Sequence, residues 1–142
     1  MSTWVADNSW CVVVPHHASG ARFARHRLAD VLGDLVPADL LADSIAVVAE
    51  LVGNAVRHAA PLPGGVVRVA WQLGLGGAVE IRVTDGGAES PPTARDAGTD
   101  AVDGRGLAIV AALAQRWGVE HDGLGQCVWA ALGNAAANTV VE

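Results

Sequence analysis

Glu50-Leu51-Val52-Gly53-Asn54-Ala55-Val56-Arg57-His58 is the stretch from which the rest of the chain can be read. It closes a longer pattern. Val36-Pro37-Ala38-Asp39 is a helix start signal, and Leu41, Ile45, Val48, Val52 and Ala55 then recur at helical spacing until Pro61 forbids continuation. Glu50 and Asn54 are four residues apart and so share one face of this helix, with Arg57 on nearly the same line. A polar face on an otherwise apolar helix is either plain solvated surface or a set of groups aimed at one ligand.

Upstream of that helix, Trp10 to Val14 reads as a short strand ended by Pro15. Ser19 supplies an N-cap for a helix to about Gly33, with Phe23, Leu28, Val31 and Leu32 as its core stripe. Downstream, Val66 to Leu73 reads as a strand returned by Gly74, Gly76 and Gly77, and Val79, Ile81 and Val83 alternate with Glu80, Arg82 and Thr84. The two form a hairpin. From Asp85 to Gly104 the chain holds Gly86, Gly87, Pro91, Pro92 and Gly98 without a period, and so long a loop in a small domain is expected to be a lid or binding loop. Gly104 is expected to open a third helix with the stripe Leu107, Val110, Leu113, Ala114 and Trp117, closed by Gly118. Two strands, Val119 to Asp122 and Cys127 to Leu132, follow around Gly123-Leu124-Gly125. The order predicts an α+β fold, a two-layer sandwich with a mixed, mostly antiparallel sheet and helices on one face. Residues 1–142 form one domain with a core from about 10 to 132 and a tail from 133 to 142.

Composition closes several routes. The net charge of −6 argues against a surface that tracks phosphate backbones, so nucleic acid is not an expected partner. All nine basic residues are Arg. Without Lys the chain can be neither a P-loop nucleotidase nor a kinase that grips phosphates through a strand Lys. The longest uncharged apolar run, Leu107 to Ala114, falls far short of the roughly 20 residues that cross a bilayer. Met1 to Trp10 carries Asp7 and lacks the basic and apolar regions of a secretory signal, so the cytoplasm is the expected compartment. Cys11 and Cys127 lack metal-ligand or CxxC spacing and are read as small hydrophobes. His16 and His17 are read as loop residues, and His58 as a C-terminal cap of the second helix.

Three groups of residues carry chemistry. The Asn54 carbonyl suits Mg²⁺, which takes one or two oxygens from protein and the rest from phosphates and water. Glu50, one turn earlier, can take a proton from a hydroxyl beside a γ-phosphate. Asp85 ends a strand, and Gly86-Gly87 after it lets backbone approach a flat ring. Its carboxylate accepts from the exocyclic amine of adenine, where guanine would present a second acceptor. An ordinary Asp-Gly turn has the same residues. Gly104-Arg105-Gly106 ahead of a helix offers N–H groups and a dipole to phosphate, or is simply a turn into a helix.

Taken in order, Glu50 to His58 resembles the N box, Asp85-Gly86-Gly87 the first glycine box, and Gly104-Arg105-Gly106-Leu107-Ala108-Ile109-Val110 the second, of the histidine-kinase-like ATPases. That group includes gyrase-type, Hsp90-type and MutL-type enzymes. Arg116-Trp117-Gly118-Val119 and Gly125-Gln126-Cys127-Val128-Trp129 extend the likeness to the small anti-sigma-factor serine/threonine kinases of bacteria, over residues 10 to 132. The resemblance implies ATP with Mg²⁺ between the N-box helix and a lid from Asp85 to Gly104. Glu50 would be the general base, Asn54 the Mg²⁺ ligand and Asp85 the adenine reader, with Arg57, Gly87, Gly104, Arg105, Gly106 and Leu107 also on the nucleotide. It further implies phosphorylation of a STAS-type anti-anti-sigma partner, sequestration of a sigma factor, a homodimer, and a partner contact through Arg25. The competing expectation is an ATP-gated binding module without phosphotransfer. Relatives often carry Lys or Thr where Gln126 stands, and a neutral amide there is expected to weaken the grip on phosphate. A detached sensor-kinase domain fits less well, because Arg27 after His26 is not the acid that a phosphoacceptor helix carries.

Overall fold

The computed structural model describes residues 8–87, 101–121, 123 and 125–133, with backbone alone at residue 75 and at residues 101–106. The elements are β1 (Ser9–Pro15), α1 (Gly20–Leu32), α2 (Ala38–His58), β2 (Val66–Leu73), β3 (Val79–Asp85), α3 (Ala101–Leu113), β4 (Arg116–His121) and β5 (Gln126–Leu132). The strands form one sheet in the order β1-β2-β3-β5-β4, and every pairing is antiparallel. The fold is therefore the expected α+β sandwich, and the expected mixed sheet is corrected to a wholly antiparallel one among the described residues. The hairpin of β4 and β5 decides this, because β5 inserts beside β3 and separates it from β4.

Strand alternation gives the sheet one apolar face. Val12, Val69, Val83, Val128 and Val119 are register partners in a single row across all five strands. Trp10, Trp71, Ile81, Ala130 and Trp117 form the row beside it. β-branched side chains suit such rows because χ1 is already restricted. Against this face lies α2, with Val47, Val48, Leu51, Val52 and Ala55 buried. Each fully buried Val or Leu contributes about 1.5–3 kcal/mol. On α2 pack both α1, which also touches β1, and α3, which also touches β4. Since β1 and β4 are opposite edges, α1 and α3 flank α2 on its two sides.

Several boundaries and faces differ from expectation. The buried stripe of α1 is Gly20, Ala24, Leu28 and Leu32, a strict period of four, and Phe23 is 55% exposed. Ser19 stands at the N-cap position with helical backbone and no side-chain cap bond; its hydroxyl lies 3.2 Å from His17 Nδ1 instead. α3 starts at Ala101, not Gly104, and ends at Leu113. Trp117 and Gly118 belong to β4, because the Gln115 N–H already donates to Ala131 O at 2.8 Å and so joins the sheet. No helix among the described residues is long and apolar enough to cross a membrane. Residues 88–100 of the expected lid and residues 134–142 of the tail lie outside the described residues.

Candidate functional site

α2 delivers the polar group at its centre. Asn54 is buried, with Oδ1 accepting from Arg57 Nη2 at 3.0 Å and Nδ2 without a hydrogen-bond partner among the described residues. Arg57 folds back over Gly53, where a Cβ would stand 3.0 Å from Nη1. Glu50, one turn earlier, is half-buried. An unpaired buried amide donor costs about 1–3 kcal/mol, so Asn54 is poised for an external acceptor. Its carbonyl keeps a second lone pair beside the Arg57 bond, which suits a hard cation.

The sheet delivers the carboxylate. Asp85 ends β3, is 2% exposed, and accepts the Gly87 N–H at 2.7 Å on Oδ1. Burial pushes its carboxyl above the ordinary 3.8, against the opposing pull of the Gly87 N–H and of His16 and His121. Gly87 holds φ +100°, a conformation side chains rarely adopt. A Cβ on Gly86 would run into the Pro61 carbonyl oxygen and lie 3.0 Å from Ala60 O.

Those contacts arise because the chain leaving α2 is stitched to the chain leaving β3. The Gly86 N–H donates to Ala60 O at 2.7 Å and the Ala60 N–H donates to Gly87 O at 3.0 Å. Asn54 lies six residues before Ala60, about 9 Å along the helix axis. The structure thus brings Asn54, Arg57, Asp85 and Gly87 to one end of the helix-sheet interface. Leu107 is buried on α3, the helix that packs on α2. Gly104, Arg105 and Gly106 lie inside α3, so the unpaired first-turn N–H groups begin at Ala101 rather than at Gly104; their side chains lie outside the described set. Arg25 is elsewhere, on the exposed face of α1.

Two residues take places that sequence reasoning did not give them. His16, read as a loop residue, directs Nε2 to Ala59 O at 2.8 Å and Ala55 O at 3.1 Å, and so caps α2 from the end of β1. No local pattern names partners 39 and 43 residues away. Gln126, expected near phosphate, is the register partner of Asp85 and of His121, on the row next to Val83, Val128 and Val119. It is 2% exposed, and Oε1 has no hydrogen-bond partner among the described residues. Counting back by twos from Val128 puts it on the helix-facing side, but the register with Asp85 is a tertiary fact. A separate cavity of about 230 Å³ lies on the other side of the sheet, beside Cys11, Ala70 and Arg82, and takes no part in this arrangement.

A five-stranded antiparallel sheet covered on one face by three helices, with a helix-borne Asn and a sheet-end Asp held at one end, defines a nucleotide-binding class of α+β domain. The family model of the histidine kinase-like ATPase domain matches residues 14–132, and the chain belongs to that family. A search of curated proteins found no match. Domains of this family bind ATP, usually with Mg²⁺, and are compatible with kinase or ATPase activity.

Proposed function

We propose that this chain is an ATP-binding serine/threonine kinase of the anti-sigma-factor type, which phosphorylates a STAS-fold anti-anti-sigma protein and otherwise holds a sigma factor. The observation that carries the nucleotide reading is the pairing of Ala60 with Gly86 and Gly87, which holds buried Asn54 and buried Asp85 at the same end of the fold. Their chemistry is complementary to the two ends of a nucleoside triphosphate. Asp85 accepts from the adenine amine. Asn54 and Arg57 face the phosphates, with the first turn of α3 and Arg105 completing the grip.

The orphaned Asn54 amide and its spare carbonyl lone pair fit a phosphate-bound Mg²⁺. Mg²⁺, when bound, offsets the negative charge gathered on the β- and γ-phosphates. Glu50 takes the proton of the attacking Ser or Thr hydroxyl. The bond from that oxygen to the γ-phosphorus forms as the bond to the β,γ-bridging oxygen breaks, leaving ADP and a phosphorylated partner. The partner contact is assigned to the exposed face of α1, where Arg22, Arg25, His26 and Arg27 concentrate positive charge on a protein of net charge −6. A second copy of the chain completes a homodimer, and the cytoplasm is the proposed compartment.

Gln126 no longer argues for a binding module, since it stands beside Asp85 rather than being identified with the phosphates. The test is incubation with γ-labelled ATP and each STAS-fold protein encoded beside the gene. Label on a partner Ser or Thr that Glu50→Ala abolishes, with ATP affinity kept, supports the kinase. ATP binding without any labelled partner makes the chain an ATP-gated adaptor.

A further inference from the structure

Gln126 is a buried carboxamide that no step above uses. It pairs in register with Asp85, its Oε1 lacks a donor, and both side chains are on the helix-facing side of the sheet. Directly opposed residues on antiparallel strands hold their Cβ atoms about 4.5–5.5 Å apart. The starts of β5 and the loop after β3 are pressed together as well, since a Cβ on Gly125 would overlap the Asp85 carbonyl oxygen. A flat ring that reaches Asp85 therefore meets the amide of Gln126 at the same edge.

An amide offers one acceptor and two donors, and a half-turn about its last bond exchanges them. Adenine presents an amine at position 6 and an acceptor at N1. A 6-oxopurine presents an acceptor at position 6 and a donor at N1–H. With adenine, one amine hydrogen goes to Asp85, the other to Gln126 Oε1, and Nε2–H donates to N1. With hypoxanthine, Oε1 accepts from N1–H, but the carboxylate of Asp85 faces O6, acceptor against acceptor.

We propose that Gln126 reads the N1 position of the bound purine beside Asp85, and that its reversible amide leaves the choice between 6-amino and 6-oxo bases to Asp85 alone. This rests on the ATP-binding reading. One consequence separates it from a pocket in which residue 126 is passive. Asp85→Asn keeps an acceptor but adds a donor that can turn to O6, so the variant should take the 6-oxopurine, and only while Gln126 is present to receive N1–H.

The experiment is calorimetric titration of Mg·ATP and Mg·ITP into the wild-type chain, Gln126→Leu, Asp85→Asn and the double variant, with thermal melting to check folding. The wild type should favour ATP over ITP by about a hundredfold. Gln126→Leu should weaken ATP roughly tenfold, the loss of a hydrogen-bonded base edge. Asp85→Asn should favour ITP, and the double variant should lose that inversion. Gln126→Met serves the same purpose should the Leu variant not fold. Unchanged ATP affinity in Gln126→Leu or Gln126→Met, or an inversion that survives in the double variant, overturns this inference while leaving ATP binding intact. A folded wild-type chain that binds neither nucleotide overturns the ATP reading and this inference with it.

Discussion

Replacing Gly86 by Ala is the sharpest test of how the fold makes the site. The added methyl would enter the Pro61 carbonyl oxygen and stand 3.0 Å from both Ala60 O and the Pro61 carbonyl carbon, all of them backbone atoms with no rotamer to change. The chain leaving α2 must therefore move away from the chain leaving β3. That strains or breaks two hydrogen bonds, Gly86 N–H to Ala60 O at 2.7 Å and Ala60 N–H to Gly87 O at 3.0 Å. At about 1 kcal/mol each, plus about 1–3 kcal/mol for overpacking, the loss is roughly 3–5 kcal/mol. For a domain of this size that lowers the melting temperature by roughly 9–20 °C. The same displacement moves the helix of Asn54 relative to Asp85, so nucleotide affinity should fall by a further amount beyond the loss of folded protein. A shift of about 1 Å in a positioned group is enough for about a hundredfold effect. Thermal melting with and without saturating Mg·ATP measures both: a lower melting point in the free protein and a smaller stabilisation by ATP. A Gly86→Ala protein that melts and binds like the wild type would refute the reasoning, because it would show that the two chains are not held by this contact.

Asp85→Asn should stabilise the nucleotide-free protein at neutral pH. Burial raises the Asp85 carboxyl in the folded state, so its contribution to stability is fully present below the unfolded value and is lost as pH rises through the folded one. The gain in melting temperature over wild type should thus shrink as pH falls into the ordinary carboxylate range, which a series of melts across pH checks. His16→Ala removes the cap on Ala55 O and Ala59 O and should cost about 1–2 kcal/mol, with His16→Asn, which can still donate, recovering part of it in the same melts. Val83→Ala, at the centre of the valine row, should cost about 2–4 kcal/mol in urea unfolding. Phe23→Ser on the exposed face of α1 should leave stability within about 0.5 kcal/mol of wild type.

Much of this molecule is written in local pattern. Period-2 alternation marks β2 and β3, and their glycine turn makes them a hairpin whatever surrounds them. The apolar recurrence from Leu41 to Ala55, bounded by Pro37 and Pro61, fixes α2, and the spacing of Glu50, Asn54 and Arg57 on it needs only helix geometry. The stripe of α1 was less legible. Phe23 looks like core by hydrophobicity, yet a period of four with Ala24, Leu28 and Leu32 wins because small and branched residues let α1 lie close on α2. The end of α3 was misread for a similar reason, since Ala114 and Trp117 continue a helical pattern that Gln115 abandons for a bond to β5.

By itself, then, the order of residues determined the elements, the one-sided sheet and the side chains that carry chemistry, because those follow from periods and from forbidden backbone. What surrounds Asp85 was decided only in three dimensions. Sheet register sets Gln126 beside it, a hydrogen-bonded crossing sets Ala60 against Gly86, and a strand end swings His16 onto helix carbonyls 39 and 43 residues away. Such pairings depend on which rows of side chains fill the core together, and that energy is shared by the whole sheet rather than held in any one stretch of chain.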